Sequence, residues 1–382
     1  MFERQVFSQE HEMFRESVRR FVDTEIAPNH AQWEQDGQIS RDAWRKAGDA
    51  GMLCATVPEA YGGAGADLLY SIVVVEELAR VGATGPGFSL QSDIVAPYLV
   101  AYGSEEIKQT WLPRLVSGEA ISSIAMTEPS GGSDLQRIRT QAVRDGDDYV
   151  ISGQKVFITN GQMSDFVITA CRTDPEGGAK GISLILVETD REGFQRGRNL
   201  EKIGWKAQDT SELFFDEVRV PVSNCIGPDG RGFIQLMEQL PQERLFQAIR
   251  SIAIIENALD WTVEYTTERN AFGRPIAGFQ NTRFKLADIK SQAVMLRVMI
   301  DRSIEMHLKG ELTATDAAMV KLLSSEMLCD LLDECLQLFG GYGYMWEYPI
   351  ARAWADARMA RIAGGTCEIM REIIGRDMVG RG

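Results

Sequence analysis

The stretch QLPQERL (239–245) sets a carboxylate and a guanidinium side by side, shortly after a proline. Proline is at home in the first turn of a helix, so Pro241 predicts a helix start with Gln242, Glu243 and Arg244 just inside it. The positive end of the helix dipole would hold Glu243 as an anion, and a positioned carboxylate can remove a proton from a substrate. The same description fits many glutamates that do no more than decorate a helix start.

Other stretches could hold a ligand. TEPSGGSD (127–134) is a glycine-rich loop leaving a strand, able to turn several backbone N–H groups toward an anion or a polar ring. Alone it reads as a flexible connection. KVFITNG (155–161) is an alternating strand whose last Thr159 could meet a ligand, although threonine is also simply a good strand former. TERNAFGRPIAGFQ (267–280) puts Arg269, Phe272 and Gln280 at a helix–loop–helix junction, where an arginine fork suits phosphate or merely ends a solvated helix. In RIAGGTCEIM (361–370), Gly364 and Gly365 interrupt two helical stretches. A turn in the left-handed conformation accounts for them, as does close approach of a ligand where a larger residue could have stood.

Several chemistries are excluded. LFGGYGY (338–344) contains Gly-Gly-x-Gly, but helical residues precede it and no βαβ pattern occurs, so the dinucleotide fingerprint fails; no phosphate-loop motif is present either. Six scattered cysteines and three distant histidines show no metal-ligand spacing, so no metal is expected. A net charge of −15 argues against nucleic acid and anionic membranes as partners, and no apolar run approaches bilayer length. With no secretory or transit-like start and no cysteine pairing pattern, the expectation is a cytoplasmic protein with reduced thiols.

These residues need a scaffold, and 382 residues allow two or three domains. Residues 1–120 read as mostly helical: Phe14, Val18, Phe21, Val22 and Ile26 share one face, Pro28 is expected to stop that helix, and 41–50 and 68–82 follow as further helices. Residues 121–228 hold short β-branched and aromatic runs separated by turn clusters, which predicts an antiparallel sheet or small barrel. From 229 to 382 the helical period returns in four or five long segments, a bundle. The fold class is thus α+β multidomain, in the order all-α, all-β, all-α.

Taken in this order, AMTEPSGGSDL, GQKVFITNG, KAQDTSELFFDEVRVP, ERNAFGRPIAGFQ, QLFGGYGYMWEYPIAR and AGGTCEIMREIIGR resemble the acyl-CoA dehydrogenase family along essentially the whole chain. The resemblance implies an N-terminal helical domain, a middle β-barrel and a C-terminal four-helix bundle. It also implies a homotetramer with FAD bound non-covalently, acyl-CoA as substrate and an electron-transferring flavoprotein as acceptor. Carried over residue by residue, Ile124, Ala125, Met126, Thr127, Glu128, Pro129, Ser130, Gly131, Gly132 and Ser133 would bracket the flavin with Phe157, Ile158 and Thr159. Ser133 would also touch the CoA portion. Arg269, Phe272 and Gln280, with Gln337, Leu338, Phe339, Gly340 and Gly341, would reach FAD across a subunit interface. Thr366, Cys367 and Glu368 would close over it. The departures are mild: Ser130-Gly131-Gly132-Ser133 replaces Gly-Ala-Gly-Ser, and Phe157 replaces a common tryptophan.

One departure matters more. Many members carry Tyr-Glu-Gly-Thr, with that Glu as base, where this chain has Ala363-Gly364-Gly365-Thr366. The long-chain and isovaleryl-CoA types supply the base instead from the position of Glu243, among substrate-contacting residues matching Pro241, Gln242, Glu243 and Arg244. Gly364 then reads as room left for that approach, with Gly365 beside it and the Gly364 N–H offered to the thioester oxygen. Glu243 would take the α-proton while the β-hydrogen leaves as hydride to the flavin. Desolvation would raise the pKa of Glu243 and the helix dipole would lower it. The leading expectation is a long-chain type acting in fatty-acid β-oxidation. Branched-chain or terpenoid acyl-CoA dehydrogenation, an oxidase or monooxygenase of the same fold, and a non-catalytic acyl-CoA-binding flavoprotein are the alternatives.

Overall fold

Ser8 opens the first helix by a reciprocal cap, its hydroxyl accepting the His11 N–H and its own N–H donating to the His11 ring. In the computed structural model, which describes residues 4–380, this helix α1 (Gln9–Phe21) leads into α2 (Ala27–Asp36). Pro28 does not stop it as expected. The backbone widens into a π-helical turn at Val22–Ile26, and Pro28 sits in the first turn of α2. Proline lacks an N–H and its ring crowds the carbonyl four residues back, and a wider turn accommodates both problems. A second π-helical turn, Leu90–Val95, carries the chain past Pro97 in the same manner. The other N-terminal helices are α3 (Arg41–Asp49), α4 (Leu68–Arg80), α5 (Ala96–Tyr102) and α6 (Glu105–Val116).

Seven strands follow: β1 (Ser122–Ala125), β2 (Gln141–Asp145), β3 (Asp148–Thr159), β4 (Phe166–Arg172), β5 (Ile182–Glu188), β6 (Phe194–Asn199) and β7 (Thr210–Pro221). They form one curled sheet in the order β1-β4-β2-β3-β7-β6, with β5 also on β4. The sheet is not wholly antiparallel as expected, because β1 runs parallel to β4. Strands β4 and β5 are covered on both faces. Phe166, Ile168, Leu184 and Leu186 join the core beneath the N-terminal helices, while Val167, Cys171, Ile185 and Val187 pack with Leu213 and Phe215 on the other side. Alternate side chains of a strand point to opposite faces, so two cores share one pair of strands.

The C-terminal part comprises α7 (Gly232–Glu268), a hairpin of β8 (Asn270–Ala271) and β9 (Arg274–Pro275), α8 (Gln280–Leu308), α9 (Ala314–Phe339), α10 (Pro349–Ala357) and α11 (Cys367–Val379). Ile249, Ile252 and Ile255 of α7 pack with Leu296, Ile300, Leu328 and Leu332, and with Ile72 and Val75 of α4, so the two helical parts share a core. The expected helix start at Pro241 is corrected here: Pro241 lies inside α7, and Glu243 stands roughly three turns from the helix start. Thr313 caps α9, its hydroxyl accepting the Asp316 N–H while the Asp316 carboxylate takes the Thr313 N–H. Thr313→Ala is expected to cost about 1 kcal/mol of stability, read as a lower urea midpoint.

Candidate active site

Glu243 is buried on α7, 8 % exposed, and its Oε1 accepts the hydroxyl of the fully buried Tyr98 from α5 at 3.1 Å. Burial pushes the Glu243 carboxyl up to about 7, against the Tyr98 hydrogen bond and the neighbouring Arg244 charge, which pull it down. A dipole acts within the first turn of a helix, and Glu243 is too far inside α7 to feel it, so desolvation governs. A carboxylate that titrates near 7 is a better base than one at the ordinary carboxylate value.

The glycine pair stands next to it. Gly364 (φ +65°) and Gly365 (φ +93°) are left-handed and turn the chain from α10 into α11. Arg244 Nε donates to the Gly364 carbonyl at 3.4 Å, and Lys321 of α9 donates to the Gly365 carbonyl at 2.5 Å. Two buried cations on successive carbonyls fix the turn. Among the described residues no acceptor takes the Gly364 N–H. The room expected at Gly364 is not open, because a Cβ there would come within 3.0 Å of Gln247 Oε1. Of the other residues in that stretch, Pro241 is half-buried, and Gln242 turns away, donating to the Asp93 carbonyl at 2.7 Å and meeting His307 at 3.1 Å.

A second group gathers on the sheet. The ladder between β3 and β7 slips between Lys155 and Ile158, and the bulge ejects Phe157 into a left-handed backbone (φ +62°) with its ring 67 % exposed. An aromatic residue held in that region is strained and marks a place where the fold spends stability. Thr159 is half-buried beside it, its carbonyl taking the Ser123 hydroxyl at 2.6 Å. The Val156 N–H donates to the Thr127 carbonyl at 3.0 Å, which lays the 127–133 loop along this strand end. Pro129, Ser130, Gly131, Gly132 and Ser133 are exposed, and no atom would meet a Cβ at Gly131.

Not every residue of that loop can present a side chain. Ile124, Ala125 and Ile158 are buried in the cores. Glu128 is also turned inward, its carboxylate accepting Lys155 Nζ at 2.9 Å and the N–H groups of Arg139 and Thr140 at 2.7 and 2.9 Å. That hold keeps Glu128 well below the ordinary carboxylate range, at about 2, despite its burial. Lys155 also donates to the Met126 carbonyl at 3.2 Å, so one buried pair pins the root of the loop.

A third group is exposed on the bundle. Arg269 caps α7 and lies 5.5 Å from the Tyr342 ring, near the α9 end that carries Gln337, Leu338, Phe339, Gly340 and Gly341. Phe272 is 96 % exposed, Gln280 begins α8, and no side chain hinders Gly340 or Gly341. Phe339 itself is buried, stacked on Tyr265 at 4.3 Å. Thr366 caps α11 and Cys367 is buried behind it, which leaves Glu368 exposed. Tyr98, Gln247 and Lys321 escaped sequence reasoning. Tyr98 and Tyr102, one turn apart on α5, were the one available signal.

A buried carboxyl with a raised pKa near a glycine turn, in a helix–sheet–helix chain, is the candidate site. The chain belongs to the acyl-CoA dehydrogenase family, whose N-terminal, middle and C-terminal domains match residues 8–119, 123–218 and 230–379, and it acts as an acyl-CoA dehydrogenase. It is 48 % identical over 378 residues to the mitochondrial long-chain specific acyl-CoA dehydrogenase of Sus scrofa, covering 98 % of this chain and 88 % of the relative. The crystal structure of acyl-CoA dehydrogenase from Geobacillus kaustophilus superposes with a TM-score of 0.97 at 46 % identity, covering 99 % of this chain and all of that one. A glutaryl-CoA dehydrogenase from Mycobacterium smegmatis, solved in complex with FADH2, superposes with a TM-score of 0.92 at 28 % identity, covering 98 % of this chain and 96 % of that one.

Proposed function

We propose that the chain dehydrogenates a long-chain fatty acyl-CoA to the trans-2-enoyl-CoA in fatty-acid β-oxidation, with Glu243 as the base. The observation that carries this reading is the buried Glu243 carboxyl, poised near 7, whose neighbour Arg244 holds the Gly364 carbonyl while nothing among the described residues takes the Gly364 N–H. Glu243 takes the α-proton. The Gly364 N–H donates to the thioester oxygen, where negative charge grows as the proton leaves. Arg244 and Lys321 hold the turn that aims this donor, and Tyr98 keeps the carboxylate pointed.

FAD fits the strand-end cradle. The ejected Phe157 ring, the half-buried Thr159 and the unhindered Gly131 leave an open face, and the loop from Met126 to Ser133 offers backbone groups beside it. When bound, FAD supplies the acceptor for the β-hydrogen. The exposed Arg269, Phe272 and Gln280, and the free glycines after α9, suit a cofactor shared across a homotetramer, and an electron-transferring flavoprotein is the proposed acceptor. Among the described residues no helix is long and apolar enough to cross a membrane, and we place the enzyme in the cytoplasm.

The test is optical. Purified protein is expected to be yellow with about one FAD per chain, and anaerobic addition of palmitoyl-CoA is expected to bleach it within seconds. A folded flavoprotein that acyl-CoA of no length bleaches would overturn the reading.

A further inference from the structure

Glu243, Gln247, Arg250 and Ile254 recur along one face of α7, so the face that carries the base continues for about 10 Å to Arg250. Two adjoining cavities open along it. The smaller, about 20 Å³, is lined by Gln247 and Ser251; the larger, about 40 Å³ and partly continuous with solvent, reaches Thr84 and Arg352. Trp205, Arg250, Ile254 and Asp356 wall both. Because Gln247 also abuts Gly364, the smaller cavity begins where the thioester end of a substrate would sit.

A hydrocarbon tail would meet polar groups here. Gln247 Oε1 is buried with no hydrogen-bond partner. Among the described residues the Arg250 guanidinium makes no side-chain hydrogen bond and no carboxylate stands within 4 Å of it; its contact is the Trp205 ring, 4.9 Å away. Burial draws Arg250 down to about 10. The carboxyls nearby are held back from ionising: burial pushes Asp93 and Asp356 each up to about 7, although Asp356 Oδ1 takes the Trp205 N–H at 2.5 Å. Leaving an amide oxygen and a guanidinium against methylenes costs the full desolvation of both. Each of these carboxyls ionises above about 7, where it would repel an incoming anion, so a neutral oxygen is the better match for the wall.

We propose that the preferred substrate is an acyl-CoA whose chain carries a neutral oxygen substituent, a hydroxyl, in its distal half, with Arg250 and Gln247 as the residues that select it. This rests on the acyl-CoA dehydrogenase reading above and narrows its substrate class. Arg250 donates to the oxygen, and the single hydroxyl proton goes to the Gln247 carbonyl or to Asp356, so the guanidinium and one acceptor of the wall gain a partner.

The experiment compares, on the FAD-loaded enzyme, ω-hydroxyacyl-CoAs of increasing length with unsubstituted chains of the same length and with the matching ω-carboxyl thioesters. The hydroxylated chain is expected to show tenfold or higher kcat/KM at the length that brings its oxygen to Arg250. Arg250→Met is expected to erase that preference, and the smaller change Gln247→Leu to reduce it. A plain chain preferred at every length, a carboxyl chain preferred over both, or a ratio unchanged in a folded Arg250→Met enzyme overturns the proposal. Each of these requires turnover, so the failure differs from that of the reading it rests on, in which no acyl-CoA reacts at all.

Discussion

Glu243→Gln is expected to bind FAD and acyl-CoA normally and to lose flavin reduction by roughly a hundredfold or more, the usual contribution of a positioned general base. The amide keeps the shape and still accepts the Tyr98 hydroxyl, but it cannot take a proton. Stopped-flow reduction under anaerobic conditions reads this directly, and a wild-type rate would place the base elsewhere. The wild-type rate should itself rise with pH through about 7, where the carboxyl ionises. The same substitution should make the protein more stable. In the unfolded chain the carboxyl loses its proton near 4.5, while in the folded chain it keeps it to about 7. Between those values the folded state binds more protons, so stability falls as pH rises, and above 7 the full cost of about 3 kcal/mol persists. Glu243→Gln escapes that cost, so its gain in unfolding free energy should be full above pH 7 and vanish below about pH 4.5. A carboxylate moved to Gly364 in a Glu243→Gly background should restore only part of the activity, because the backbone there is left-handed (φ +65°) and the Gln247 amide end, 3.0 Å from a Cβ, must also give way.

Lys155→Met is expected to cost about 3–5 kcal/mol and to strip the flavin from the protein, because it strands a buried carboxylate. Lys155 is 0 % exposed and Glu128 5 %. With the ammonium removed, Glu128 keeps the N–H groups of Arg139 and Thr140 but loses its countercharge, and the Met126 carbonyl loses a donor. The loop rooted there, Thr127 to Ser133, should loosen even below the temperature of global unfolding. Flavin retained through gel filtration and the thermal midpoint measure the two effects separately. Glu128→Gln in the same chain should recover much of the stability, since two neutral partners no longer bury an unpaired charge. Equal losses in the single and double variants would show that packing, not charge, is at stake.

Much of the scaffold was legible because it rests on local pattern. The alternation in KVFITNG, the helical period after residue 231 and the turn clusters between strands each report a neighbourhood of a few residues, and the elements formed where those patterns lie. What escaped depends on distant partners. Pro241 reads locally as a helix start, yet α7 runs through it, with Leu236 before it packed in the N-terminal core and Leu245 after it packed in the core shared with α4, α8 and α9. The parallel placement of β1 beside β4 joins segments some forty residues apart and leaves no local trace. Tyr98 reaches Glu243 across 145 positions, and Gln247 matters through its contact with a glycine 117 positions away. Glu128 could be placed in the right loop from sequence, but not turned inward, because the lysine that turns it is on another strand.

The π-helical turn at Leu90–Val95 sets the phase of everything after it. Such a turn holds one residue more than the α-helical path would need. Deleting a single residue there would let the backbone close into a regular helix, and each following side chain would swing by about 100° around the axis. Tyr98 would then leave the Glu243 carboxylate, and with it the hydrogen bond that opposes the effect of burial. A one-residue change in length, invisible to any comparison of side-chain chemistry, is therefore a route by which this scaffold could retune its base without altering a single residue that touches substrate.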